Sequence, residues 1–99
     1  MIRAITLRQR AIADIDDIWD YTVTTHGAAQ AVNYLSGLEA AFGLLAEFPE
    51  IARARTEFTP PVRIHPHQQH LILYQNDEVK IDIIRVVHRR ANWSEFLSE

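Results

Sequence analysis

Four of the five histidines, His65, His67, His70 and His88, fall in the second half of the 99-residue chain, interleaved with Arg53, Arg55, Arg63, Arg85, Arg89 and Arg90. Imidazole is the side chain that changes charge near neutral pH and serves as acid, base or metal ligand. Guanidinium groups hold carboxylates and phosphates through paired N–H donors. Three chemistries are therefore open: a zinc site, metal-independent cleavage of a phosphodiester, and the binding of a partner.

Zinc fits poorly. His65 and His67 point the same way in an extended chain, and His70 is close in sequence, but a zinc site takes three or four ligands. There is no cysteine to complete a set. Asp14, Asp16, Asp17 and Asp20 lie around one helix and diverge, whereas a hard cation needs oxygens converging from several segments. The expectation is no metal and no cofactor. Acid–base catalysis has candidates in His70, Tyr74 and His88, with arginines to stabilise a charged phosphorane. No spacing marks an acid and a base, and there is no G-x-S-x-G and no phosphate-binding glycine loop. The residue chemistry therefore leans away from a catalyst.

These residues must be positioned by elements that the hydrophobic pattern reveals. Residues 2–7 read as a short strand. From Gln9 to Thr25 the stripe Ile12, Ile15, Ile18, Trp19, Thr22 has helical spacing, with the four aspartates on the opposite face. Gly27 ends that helix. A second helix runs from Ala28 to Phe48 on the stripe Ala28, Ala31, Val32, Leu35, Leu38, Phe42, Leu45, and Pro49 stops it. So short a connection makes an antiparallel helical hairpin. Residues 49–61 form a loop. Three strands follow: Val62 to His65, halted by Pro66; His70 to Gln75; and Val79 to His88, the last two joined at Asn76-Asp77-Glu78. The last strand is apolar on both parities near its middle, so it is central and covered on parts of both faces. A helical turn closes the chain at Ser94 to Leu97. The fold class is α+β, β-α-α-β-β-β, with a helical hairpin packed on a small, mainly antiparallel sheet in one domain over residues 1–99.

Charge is divided. Residues 1–50 carry three arginines and seven acids, net −4, and residues 51–99 carry seven basic and six acidic residues, net +1, together the overall −3. A net negative chain argues against wrapping nucleic acid, and no sequence-specific nucleic-acid binding is expected. No apolar run approaches the roughly 20 residues of a membrane span, and the segment Met1–Leu7 is too short and polar for a signal peptide. A cytoplasmic protein is expected.

The order of motifs resembles ParE toxins, within the RelE/ParE superfamily of type II toxin–antitoxin systems. The resemblance runs over nearly the whole chain: Ala11-x-x-Asp14-Ile15-x-x-Ile18-Trp19-x-Tyr21, then Gly27-x-x-x-Ala31-x-x-Tyr34-x-x-x-Leu38, Leu45-Ala46-x-x-Pro49, Pro61-Val62-Arg63, His70-Leu71-Ile72-Leu73-Tyr74 and Ile83-Ile84-Arg85-Val86-Val87-His88. It departs at Pro60-Pro61, where the family often has Pro-Gly, and at Asn92, where an acid is common. The resemblance implies the same β-α-α-β-β-β fold. It also implies a ParD-like antitoxin that folds onto the toxin, hetero-oligomers with it, and DNA gyrase as target. It further suggests a role of the kind described as plasmid stabilisation. Arg63, Arg85, His88, Arg89 and Arg90 would form the target-facing surface, and Trp19, Tyr34, Leu38, Phe42, Arg53 and Arg55 would hold the antitoxin. With one lysine the chain looks less like the lysine-rich RelE branch. A ribosome-dependent mRNA endonuclease using Arg63, Arg85 and His88 is the alternative. A degenerate toxin that only binds its antitoxin is a second.

Overall fold

A computed structural model describes residues 2–97. The elements are β1 (Ala4–Leu7), α1 (Gln9–His26), α2 (Ala28–Glu47), a 3₁₀ turn (Pro49–Ile51), β2 (Arg63–His67), β3 (His70–Asn76), β4 (Lys80–His88) and a closing 3₁₀ helix (Trp93–Leu97). The sheet order is β1-β4-β3-β2, with β1 parallel to β4 and the other pairs antiparallel. The expected α+β order holds, and β4 is central.

Each helix turns a slightly different stripe inward than the spacing predicts. In α1 the buried residues are Ala11, Ile18 and Thr22, while Ile12 and Trp19 are 46% and 38% exposed. The contact line begins at Ala11, whose small side chain allows close approach, and Asp14 turns to the sheet rather than to solvent. Thr22 is tolerated inside because its hydroxyl donates to the Ile18 carbonyl at 2.6 Å, satisfying an otherwise costly buried polar group. Gly27, at φ 90°, lets the chain reverse in one residue, a conformation that a side chain would oppose. In α2 the core face is Ala31, Leu38, Ala41, Phe42, Leu45 and Ala46. Val32, expected inside, is exposed.

The strand expected to stop at Pro66 continues through it to His67. β2 is an edge strand. His67 and His70 close a two-residue turn, so in the antiparallel ladder they exchange hydrogen bonds and Pro66 faces away from β3. Proline lacks an N–H, but none is required there.

Two clusters sandwich the sheet. Ile72, Tyr74, Ile81, Ile83 and Val86 pack under the helices. On the opposite face Val62, Leu73, Ile84 and Val87 meet Phe58, Trp93, Phe96 and Leu97. Leu73 pairs with Arg85 but Tyr74 with Ile83, so β4 carries one extra residue, a β-bulge at Ile84. The bulge switches parity. Before it odd-numbered residues face the helices, and after it Val86 does.

Candidate functional site

The side chains that could act on a ligand or partner gather at the far ends of β3 and β4. The bulge brings His88 directly opposite His70, their rings 5.8 Å apart and nearly perpendicular. From α2, the Tyr34 hydroxyl lies 2.5 Å from His70 Nδ1, and its ring meets His67 edge-on at 5.8 Å. The backbone N–H of Arg90 donates to His88 Nδ1 at 3.2 Å. Tyr34, His70 and His88 border a cleft of about 610 Å³ between the helical hairpin and the sheet, with Asp17, Tyr21 and His26 of α1 on its other side.

Burial pushes the His70 imidazole below the usual histidine range. The neighbouring His88 and His67 add to that shift, and Asp14 opposes it. His65 is lowered by burial and then by His67. Burial raises the Tyr34 hydroxyl. Among the described residues no group of three or more histidines, acids or cysteines is arranged to hold a metal ion.

The arginines divide by role. Arg85 makes a two-pronged ion pair with Asp14, Nε to Oδ2 and Nη2 to Oδ1 both at 2.8 Å. The same carboxylate accepts the Val86 N–H at 2.9 Å, a backbone donor just beyond the bulge. The Arg85 guanidinium also lies 4.8 Å from the Phe96 ring centroid. It therefore locks α1, β4 and the closing 3₁₀ helix together. Arg63 donates to the Ala52 carbonyl at 2.6 Å and to Asn76 Oδ1 at 3.0 Å, tying the loop to the sheet. Arg63 pairs with Tyr74, four residues along β3 from His70, or roughly 13 Å. Neither Arg63 nor Arg85 lines the cleft that His88 borders, so the trio that the mRNA-cleaving alternative would require does not converge. Arg89 and Arg90 are exposed beside His88.

The second expected group separates too. Leu38 and Phe42 are 1% and 5% exposed and belong to the core under the helices, so they do not present themselves to a partner. Trp19 is partly exposed and Tyr34 half-buried. Arg53 is exposed, and Arg55 stacks on Trp93 with its guanidinium carbon 5.2 Å from the ring centroid. What the sequence reading missed is the grouping of Tyr34, His70 and His88. They stand on three elements, and only the exact register of the hairpin unites them.

A second exposed feature lies at the opposite end. Arg3 N–H donates to the Ala46 carbonyl, bringing β1 to the end of α2. Ile5, Leu7, Ile12, Leu44 and Phe48 are each 39–50% exposed around that junction. No helix among the described residues is long and apolar enough to cross a membrane.

The family model described as "ParE toxin of type II toxin-antitoxin system, parDE" matches residues 5–93. The chain is similar to Toxin ParE1 of Caulobacter vibrioides, with 34% identity over 86 residues, 87% of this chain and 88% of the relative. It is also similar to Toxin ParE1 of Mycobacterium tuberculosis (strain H37Rv), with 36% identity over 87 residues, 87% of this chain and 89% of the relative. A solved structure titled "Chromosomal ParDE TA system from P. aeruginosa" shares the fold. Its TM-score is 0.73 at 19% identity, covering 88% of this chain and 96% of that one.

Proposed function

The chain belongs to the ParE toxin family of type II toxin–antitoxin systems, and from that membership we propose that it arrests growth by binding DNA gyrase and is neutralised by a cognate ParD-like antitoxin. The family match over almost the whole chain carries the reading. The exposed His88-Arg89-Arg90 end of β4 supports a target-facing surface. Such a surface would attract an acidic patch on a large protein and speed the encounter. Arg63 and Arg85, committed to internal partners, would support that surface from within rather than touch the target.

The apolar rim of Ile5, Leu7, Ile12, Leu44 and Phe48 supports an amphipathic antitoxin segment that folds on binding, with Trp19 and Arg53 as further exposed contacts. The Ala4 and Arg8 N–H groups bond to β4. Parallel pairing therefore leaves the Ile5 and Leu7 backbone groups pointing outward, where a strand can add. Cytoplasmic action follows from a cytoplasmic target.

The test is a supercoiling assay with purified gyrase. Inhibition near stoichiometric toxin, relieved by the antitoxin, is expected. Unimpaired supercoiling by a chain that still arrests cells would sink the gyrase assignment.

A further inference from the structure

The cleft between the hairpin and the sheet has two chemically different walls. On the sheet wall His70 and His88 each have Nδ1 occupied, by the Tyr34 hydroxyl and the Arg90 N–H respectively. A neutral imidazole that accepts at one nitrogen carries its proton on the other. Donation from Arg90 leaves the neutral His88 proton on Nε2, and the same holds for His70 when Tyr34 donates to its Nδ1 rather than to the His67 carbonyl 3.4 Å away. Arg89 donates to the Gln68 carbonyl at 3.4 Å, and Gln68 lines the cleft, so a guanidinium stands at the rim. On the helical wall are the Asp17 carboxylate, the Gln30 amide and the Tyr21 ring, the last 66% exposed.

We propose that this cleft binds a phosphorylated nucleoside, its phosphate held by His70 and His88 and its base laid on Tyr21. A bare oxyanion would use the sheet wall but be repelled by Asp17. A ligand with a phosphate at one end and sugar hydroxyls and a flat base at the other uses both walls. The hydroxyls suit the carboxylate as acceptor, the amides suit a base edge, and exposed aromatic rings are stacking platforms for bases. The volume of about 610 Å³ lies within the roughly 300–1,000 Å³ of small-ligand sites. The site shares His88 with the proposed target-facing surface, and nucleotide binding is read with neither gyrase nor antitoxin present.

The experiment titrates the full chain with AMP, inorganic phosphate, adenosine and a short single-stranded RNA, followed by calorimetry and by NMR of the histidine side-chain nitrogens. AMP is expected to bind with a dissociation constant below about 1 mM, at least about tenfold tighter than phosphate or adenosine alone. The His70 and His88 Nε2 signals should move. His88→Ala should weaken AMP about tenfold, and Tyr21→Ala about fivefold or more. Both positions are exposed, and unchanged thermal melts will show that the variants fold. RNA binding tighter than AMP would place the nucleotide in a strand. AMP binding without RNA binding would make it a free metabolite. Either result keeps the proposal. It is overturned by no AMP binding at about 10 mM, by equal affinity for AMP and phosphate, or by undiminished AMP binding in His88→Ala.

Discussion

Asp14 accepts three hydrogen bonds, two from the Arg85 guanidinium and one from the Val86 backbone, and its side chain is only 13% exposed. Removing one partner of a mostly buried pair leaves the other's charge without its main compensation. Asp14→Ala should therefore destabilise the fold by about 3 kcal/mol, read from urea denaturation. Asp14→Asn, which keeps an acceptor for Val86, should lose less. Tyr74 makes a pH-linked counterpart. Its hydroxyl donates to the Pro49 carbonyl at 2.6 Å, and burial pushes its pKa up to about 12. The unfolded chain loses this proton near pH 10 and the folded chain near 12. Between those values the native state binds more protons and stability falls as pH rises. Tyr74→Phe should lose that alkaline slope while costing about 1 kcal/mol at neutral pH for the missing bond. His70 has the opposite sense. With its pKa depressed, stability should fall as pH drops below the ordinary histidine value of about 6.5. His70→Gln should flatten that acid limb in urea midpoints measured at successive pH values. At this scale the sequence was ambiguous. It placed Asp14 with the solvated aspartates and Arg85 on the surface, because nothing in either stretch announces a contact across 71 residues.

Element boundaries owe more to local chemistry, and were more legible. Gly27 ends α1 and Pro49 follows α2 as expected, and the two glycine environments differ in a measurable way. Gly43 lies within α2, with no atom within 4 Å of an added Cβ. Gly43→Ala should stabilise by about 0.5–1 kcal/mol from helix propensity alone. Gly27 also has open space, but at φ 90°. Gly27→Ala should therefore destabilise by about 1 kcal/mol or more. Thermal melts of the pair should move in opposite directions. The strand register was not legible. Asn76 opposes Ile81, and an unbroken antiparallel ladder from that pair would set His70 against Val87. The bulge at Ile84 shifts the pairing by one and sets His70 against His88. A run of β-branched residues such as Ile83-Ile84 gives no sign of where an extra residue will sit. The β2 end was misjudged because proline stops a strand only where its N–H is needed.

Over the whole molecule, the two-layer plan was readable because it depends on periodicity and on short connections. The site was not, because it depends on how distant elements meet. The charge division also acquires a location. The −4 half builds most of the helical layer, and the exposed cations Arg89 and Arg90 project beyond one end of the sheet. Under the gyrase reading, Arg89→Glu combined with Arg90→Glu should reduce inhibition strongly. Stability should stay within about 0.5 kcal/mol, as for other exposed positions. The wild-type effect should itself weaken as salt rises. Supercoiling assays at two ionic strengths, alongside melts of the same preparations, would check both.

The outward-facing Pro66 bears on self-assembly. β2 cannot offer an unbroken row of donors to an incoming strand, while β1 keeps the backbone groups of Ile5 and Leu7 outward. A sheet that extends from one side only cannot propagate head to tail. Two copies meeting edge to edge would use the same β1 surface twice and close on each other. The single imino acid at Pro66 thus interrupts one edge of the sheet, and the β1 edge is left as the place where one partner strand can cap it.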